Sequence, residues 1–145
     1  MRLVTAREKD ALALAGILWG WAAETPWMPK LHARPDTEVF LERLIAQTEV
    51  TAIRNWRGVQ GFLARDGEMI HALYLHPRVR GQGWGARLLD QVKARSDRLT
   101  LWAFQANEGA RVFYRREGFV EVEKTNGAGN DEKLPDVRMV WRREA

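Results

Sequence analysis

Residues 80–90 read RGQGWGARLLD and come two residues after LYLHP at 73–77. Glycines stand at 81, 83 and 85, and Ala86, Arg87, Leu88 and Leu89 continue as a helix-forming run. A glycine within a helix costs up to about 1 kcal/mol relative to alanine, so three in five positions need a reason. A strand, a glycine-rich turn and a helix start together make an anion site. The first N–H groups of the helix have no internal acceptor, and the helix dipole adds partial positive charge. Glycine lets the main chain take positive φ and approach a phosphate with no side chain between them. A turn with no ligand is the bland alternative, but a turn alone does not require three glycines ahead of a good helix.

Which phosphate compound would bind is a narrower question. Gly81-x-Gly83-x-x-Ala86 matches the loose dinucleotide fingerprint, which opens a βαβ unit and wants an acid at the end of the next strand. Here the next strand, Leu99–Phe104, is followed by Gln105, and the motif comes after an antiparallel hairpin. No Gly-Lys-Ser/Thr follows, so the mononucleotide P-loop fails as well.

Working outward, Arg2–Thr5 predicts a short strand, and Leu14, Ile17, Leu18 and Trp21 recur at helical spacing between Glu8 and Ala23. ETPWMPKLHARP at 24–35 holds three prolines and reads as a loop. Asp36 is placed to cap a second helix with Phe40, Leu44 and Ile45 on one face. Val50–Arg54, Val59–Ala64 and Met69–Leu75 read as strands joined by tight turns, Asp66-Gly67 being a strong hairpin signal. After the glycine segment, Trp84, Leu88, Leu89 and Val92 share a helical face. Leu99–Phe104 is an unbroken apolar run that predicts a buried, parallel-type strand. Asn107 caps a helix ended by Gly118, and Phe119–Lys124 and Val137–Arg142 are the last strands, joined by the polar loop TNGAGNDEKLPD. The expected order is β-α-α-β-β-β-α-β-α-β-β, an α/β (α+β) fold with a mixed sheet flanked by helices, in a single domain over 1–145.

The bulk composition restricts the function classes. The 145 residues are 46% hydrophobic and 29% charged, an ordinary globular balance. With no cysteine, a disulfide framework, a thiolate metal site and a thiol nucleophile are excluded. No signal-peptide pattern opens the chain, and the apolar stretch at 11–23 is too short to span a bilayer, so no membrane partner is expected and a cytoplasmic location is. Net charge is +4 with a pI near 9.8. The basic residues are interspersed with acids and form no long run, and a mildly basic surface equally favours a small polyanionic ligand. Nucleic acid is therefore not expected as a partner.

Arg80-x-x-Gly83-x-Gly85, after an apolar strand and before a helix, resembles the acyl-CoA signature of the GNAT superfamily of N-acetyltransferases. Asn107, Ala110, Phe113, Tyr114 and Gly118-Phe119 are similar to that family's second motif at the usual separation. The resemblance is specific from about Ile70 to Val122 and extends over nearly the whole chain through element order.

It implies transfer of an acetyl group from acetyl-CoA, with no metal, to a primary amine, expected to be that of a small molecule. A peptide or protein N-terminus or lysine is the alternative acceptor, and a non-catalytic acyl-CoA-binding module the alternative of another class. The implied cofactor-binding groups are the backbone of Arg80, Gly81, Gln82, Gly83, Trp84 and Gly85 for the diphosphate, the Arg80 side chain either touching phosphate or bracing the loop. Leu73, Tyr74 and Leu75, where the fourth strand splays from the fifth, would serve the carbonyl and pantetheine, and Asn107 the pantetheine or its own helix cap. Tyr114 takes the catalytic place of general acid. His71, expected on the face of Leu73, is the candidate base because an imidazole exchanges protons near neutrality; a strand histidine is more often structural, and many members of the family have no single essential base. Trp27, Met28 and His32 in the proline-rich loop, and Asp131, Glu132 and Asp136 in the late loop, are the expected acceptor-binding residues. The tryptophans and late strands permit a homodimer without demanding one.

Overall fold

The computed structural model describes residues 1–29 and 33–144; Lys30, Leu31, His32 and Ala145 lie outside the described residues. The chain forms β1 (Arg2–Thr5), α1 (Ala11–Glu24), α2 (Arg34–Gln47), β2 (Glu49–Asn55), β3 (Gly58–Asp66), β4 (Met69–Leu75), α3 (Trp84–Lys93), β5 (Arg98–Phe104), α4 (Glu108–Arg116), β6 (Val120–Thr125) and β7 (Asp136–Arg142). One-turn 3-10 helices at Glu8–Asp10 and Pro77–Val79 lead into α1 and the glycine segment. The order of elements is the one expected. All seven strands belong to one sheet, ordered β1-β2-β3-β4-β5-β7-β6, in which only β4 and β5 run parallel.

Each face of the sheet has its own core. Leu14, Ile17, Leu41 and Leu44 from α1 and α2 pack with Val50, Phe62 and Ala72 on one side. Leu88, Leu89 and Val92 from α3 pack with Leu63, Leu99, Phe119 and Met139 on the other. Buried Asp10 ties the layers at one edge: it accepts from the Arg7 N–H at 2.9 Å and pairs with Arg54 of β2 at 2.8 Å.

Three local expectations are corrected. Helix α2 begins at Arg34, with Pro35 in its first turn where a missing N–H is harmless, so Asp36 is its third residue rather than its N-cap, and it accepts from Ala33 N–H at 3.3 Å. The buried stripe of α2 runs through Thr37, Leu41 and Leu44, leaving Phe40 46% exposed. Strand β5 is not buried on both faces: burial alternates along it and Trp102 is 41% exposed. Helices α1 and α2 lie over β2, β3 and β4, and β5 meets an antiparallel neighbour, β7, along its whole length.

One departure from regularity prepares the site. β4 and β5 pair only at Met69↔Thr100 and Ile70↔Leu101. Beyond these, β4 follows β3 as far as Leu75↔Gly61 while β5 follows β7 as far as Phe104↔Asp136, and a V opens between the arms.

Candidate active site

The V lies at the floor of a cleft. Leu73, Tyr74 and Leu75 line one arm, Arg80, Gly81 and residues 83–86 of the glycine segment one rim, Asn107 with Ala110, Phe113 and Tyr114 of α4 another, and Trp21, Glu24 and Thr25 at the end of α1 a third. His76 N–H donates to Gln60 O at 2.7 Å. In an antiparallel ladder the residues that bond to a given neighbour alternate, so His76, Tyr74 and Ala72 face β3. The main-chain groups of Leu73 and Leu75 therefore point into the V. The Leu75 carbonyl is taken by Arg80 Nε at 3.0 Å.

The three glycines divide into two functions. Gly81 and Gly83 have φ of 73° and 85°, and a Cβ on either would project into open space. From Gly81 to Ala86 no main-chain N–H has an acceptor among the described residues, the first helical bond of α3 being Arg87 N–H to Gly83 O at 3.1 Å. Six unpaired donors over an open concavity at a helix N-terminus form a cradle for an anion. Gly85 has ordinary φ but is buried, and its Cβ would stand 3.1 Å from the Phe113 ring. It is there to let α3 approach α4. Gly85→Leu should lower stability in thermal melts by roughly 3 kcal/mol through overpacking. Gly85→Ala should cost less, because the ring can shift slightly and helix propensity returns up to about 1 kcal/mol.

Arg80 bridges the two sides of the cleft mouth, bonding the end of β4 as above and pairing with Glu24 of α1 at 2.9 Å. Its side chain braces the turn. Nothing in the sequence announces that Glu24 belongs here, since the pairing forms only when α1 crosses the sheet. Asn107 caps α4, its Oδ1 accepting from Ala110 N–H at 3.2 Å, and also lines the cleft.

The acceptor candidates separate sharply. Trp27 packs edge-on against Trp21 (5.9 Å between centroids) and Phe104 (5.7 Å), and Trp21 lies 5.1 Å from Tyr74. This aromatic chain spans the V from the β5 arm to the β4 arm. The charge of Glu132 in the late loop adds to the upward push that burial exerts on Tyr74. Asp131 is exposed. Asp136 is engaged within its own loop, bonding to Thr125 and, at 3.2 Å, to Asn130. His32 lies outside the described residues. His71 does not reach the cleft: Ala64 pairs with Ala72 and Arg65 with Ile70, so the ladder skips His71 as a β-bulge. The bulge breaks the alternation with Leu73 and leaves His71 exposed.

Both tyrosines of the chain line this cleft. Burial first, and then the Glu132 carboxylate, pushes Tyr74 up to about 12. Burial first, and then Tyr74, pushes Tyr114 upward as well. No tyrosinate absorbance should therefore develop in the native protein near pH 10, where a free phenol ionises. Above that pH the unfolded chain releases protons that the folded chain retains, so stability should fall as the pH rises toward about 12. Tyrosinate absorbance rising near pH 10 before unfolding would contradict the burial of these phenols.

The fold and this site together define a mixed-sheet protein with an open main-chain anion cradle beside two parting strands. The Acetyltransferase (GNAT) domain pattern matches residues 42–121, and the chain belongs to the GNAT acetyltransferase family, a family of acyltransferase enzymes. Peptidyl-lysine N-acetyltransferase YiaC of Escherichia coli is 28% identical over 143 residues, covering 93% of this chain and 94% of YiaC. Another relative by sequence is matched over only 34% of its own length. A GCN5-related N-acetyltransferase from Rhodopseudomonas palustris shares the fold with a TM-score of 0.82 at 21% identity, covering 98% of this chain and 95% of that one. So does yncA of Salmonella typhimurium, solved with its cofactor acetyl-CoA (TM-score 0.71, 17% identity, covering 100% of this chain and 95% of that one). Among the described residues no helix is long and apolar enough to cross a membrane, and no group of three His, Asp or Glu could hold a metal ion.

Proposed function

We propose that the chain transfers acetyl from acetyl-CoA to a primary amine of a small molecule. The observation that carries this is the run of six unpaired N–H groups beside a V whose inner edge offers unpaired strand N–H groups. Acetyl-CoA supplies an acetyl group activated as a thioester; the rest is the work of this chain. The cradle at 81–86 holds the diphosphate. The N–H groups of Leu73 and Leu75, pointing into the V, are placed to donate to a carbonyl oxygen, a contribution of roughly 3–4 kcal/mol in a preorganised site. Tyr114 stays a neutral phenol, because burial disfavours its anion, and so remains a hydrogen-bond donor for the departing sulfur.

The acceptor enters against Trp21, Trp27, Tyr74 and Phe104, with Glu132 drawing in its charge. Aromatic faces attract a cation, while the loss of water beside them favours the neutral amine that attacks. Glu132→Gln should raise KM for the amine about tenfold, the size of one exposed charge-assisted contact, with KM for acetyl-CoA unchanged; equal loss for both substrates would remove Glu132 from the acceptor site. A second reading, acetylation of a protein lysine, is favoured by the likeness to YiaC. Release of free thiol from acetyl-CoA across small amines, polyamines, lysine peptides and free peptide N-termini separates the two. Turnover on peptides alone would overturn the small-molecule reading, and absence of thiol release on every acceptor would favour a non-catalytic acyl-CoA-binding module.

A further inference from the structure

A second hollow, of about 1290 Å³, lies across the Pro77–Arg80 turn from the cleft. It gathers residues distant in sequence: Arg2 of β1, Arg54 at the end of β2, Trp56 and Arg57 in the β2–β3 turn, Arg78 just before the glycine segment and Gln82 within it. No carboxylate lines it. Arg54 is neutralised by Asp10, whereas Arg2, Arg57 and Arg78 have no carboxylate partner among the described residues. Three unpaired guanidinium groups around one concavity repel one another and favour an anion.

Two further features describe the anion. Arg78 is held in place by a neutral neighbour, its Nε 3.1 Å from Nδ1 of His76, so its charge is positioned without being cancelled. Trp56 is 86% exposed, with the Arg57 guanidinium stacked 4.5 Å from its ring centroid. An exposed indole backed by a cation is a platform for a flat ring. Guanidinium forks match phosphate oxygens, which they can bind in pairs.

We infer that this hollow binds a nucleoside phosphate, with its base on Trp56 and its phosphate among Arg2, Arg57 and Arg78. The nucleotide is a free one, separate from acetyl-CoA, and the coenzyme's own nucleotide end occupying the hollow is the outcome that would overturn the inference. The site uses none of the acceptor residues, so the inference stands whether or not the amine assignment does.

Calorimetric titration of the intact chain with AMP and with adenosine 3′,5′-bisphosphate tests it. Trp56 and Arg57 sit on an exposed turn, so Trp56→Ala and Arg57→Glu should retain the wild-type melting curve. Saturable binding weakened about tenfold or more in each variant, the scale of one lost stacking or phosphate contact, supports the site. If both variants weaken CoA and dephospho-CoA as much as AMP, and AMP no longer binds alongside saturating CoA, the nucleotide is the cosubstrate's own and the inference is overturned. If nucleotide binds alongside saturating CoA, it is a separate ligand. No saturable binding to the wild type at millimolar nucleotide, equal affinity in folded variants, or binding of single-stranded or duplex DNA without nucleotide binding would each overturn the inference.

Discussion

Replacing Gly83 by glutamate should weaken CoA binding at least about a hundredfold, a loss equivalent to two charge-assisted hydrogen bonds at roughly 1.5–3 kcal/mol each. Gly83 is the N-cap of α3 at φ 85°, and a Cβ there points into open space. The first atom of the new side chain therefore meets nothing in the protein. The side chain stands instead where the ligand would lie, carrying a negative charge into the concavity of unpaired N–H groups. The left-handed backbone adds about 1–2 kcal/mol of strain, which should lower the melting temperature by a few degrees without unfolding the domain. Gly83→Ala separates the contributions: it carries nearly the same strain and no charge, so most of its CoA affinity should survive. Calorimetric titration with CoA reads both variants. A Gly83→Glu protein that bound CoA as the wild type does would dissociate the glycine segment from the diphosphate altogether.

The sequence makes the cradle legible because glycine has few reasons to occur before a helix, but it does not show that the three glycines differ. Gly81 and Gly83 are explained by their own φ, a local property. Gly85 is explained by Phe113, 28 positions away, whose ring lies against it only after α3 and α4 pack side by side. The same distinction runs through the site. Helical spacing identifies Leu88, Leu89 and Val92 as core, since the period belongs to the helix itself. His71 fails because strand parity assumes an unbroken ladder, and the bulge at His71 exists only relative to β3. Trp27 and Glu132 come from loops whose polarity and length suggest a role, but which residue reaches the V depends on how each loop folds back. Asp136 and Glu132 look alike in sequence; Asn130 and Thr125 engage the first, while the charge of the second acts on Tyr74. Arg80 with Glu24, and the hollow of Arg2, Arg57 and Arg78, are assembled from separate segments and carry no local signature.

Tyr114→Phe should reduce kcat by about 10²–10³-fold, the usual loss on removing one hydrogen-bond donor aimed at a developing charge, with KM for acetyl-CoA changed less than twofold. The ring is packed edge-on against Phe113 and Phe119, at 5.2 and 5.5 Å. Phenylalanine keeps those contacts, so folding and cofactor affinity should persist. What disappears is one hydroxyl, for which no hydrogen-bond partner is found among the described residues. Burial favours its neutral form, so it can donate a hydrogen bond at every pH at which the protein is folded. The raised pKa also restricts its role. Complete proton transfer from such a phenol to a thiolate whose conjugate acid resembles that of cysteine, near about 8.5, is uphill, so Tyr114 acts chiefly by stabilising the sulfur as its charge develops. An acetyl thioester with a less basic leaving thiol should then be affected less by the substitution. Tyr74→Phe is the decisive comparison, because its ring also lines the cleft and its charge state bears on Tyr114. A large loss in Tyr74→Phe with near-normal turnover in Tyr114→Phe would transfer the donor role to β4. Normal turnover in both would leave the sulfur to be stabilised by main-chain groups alone.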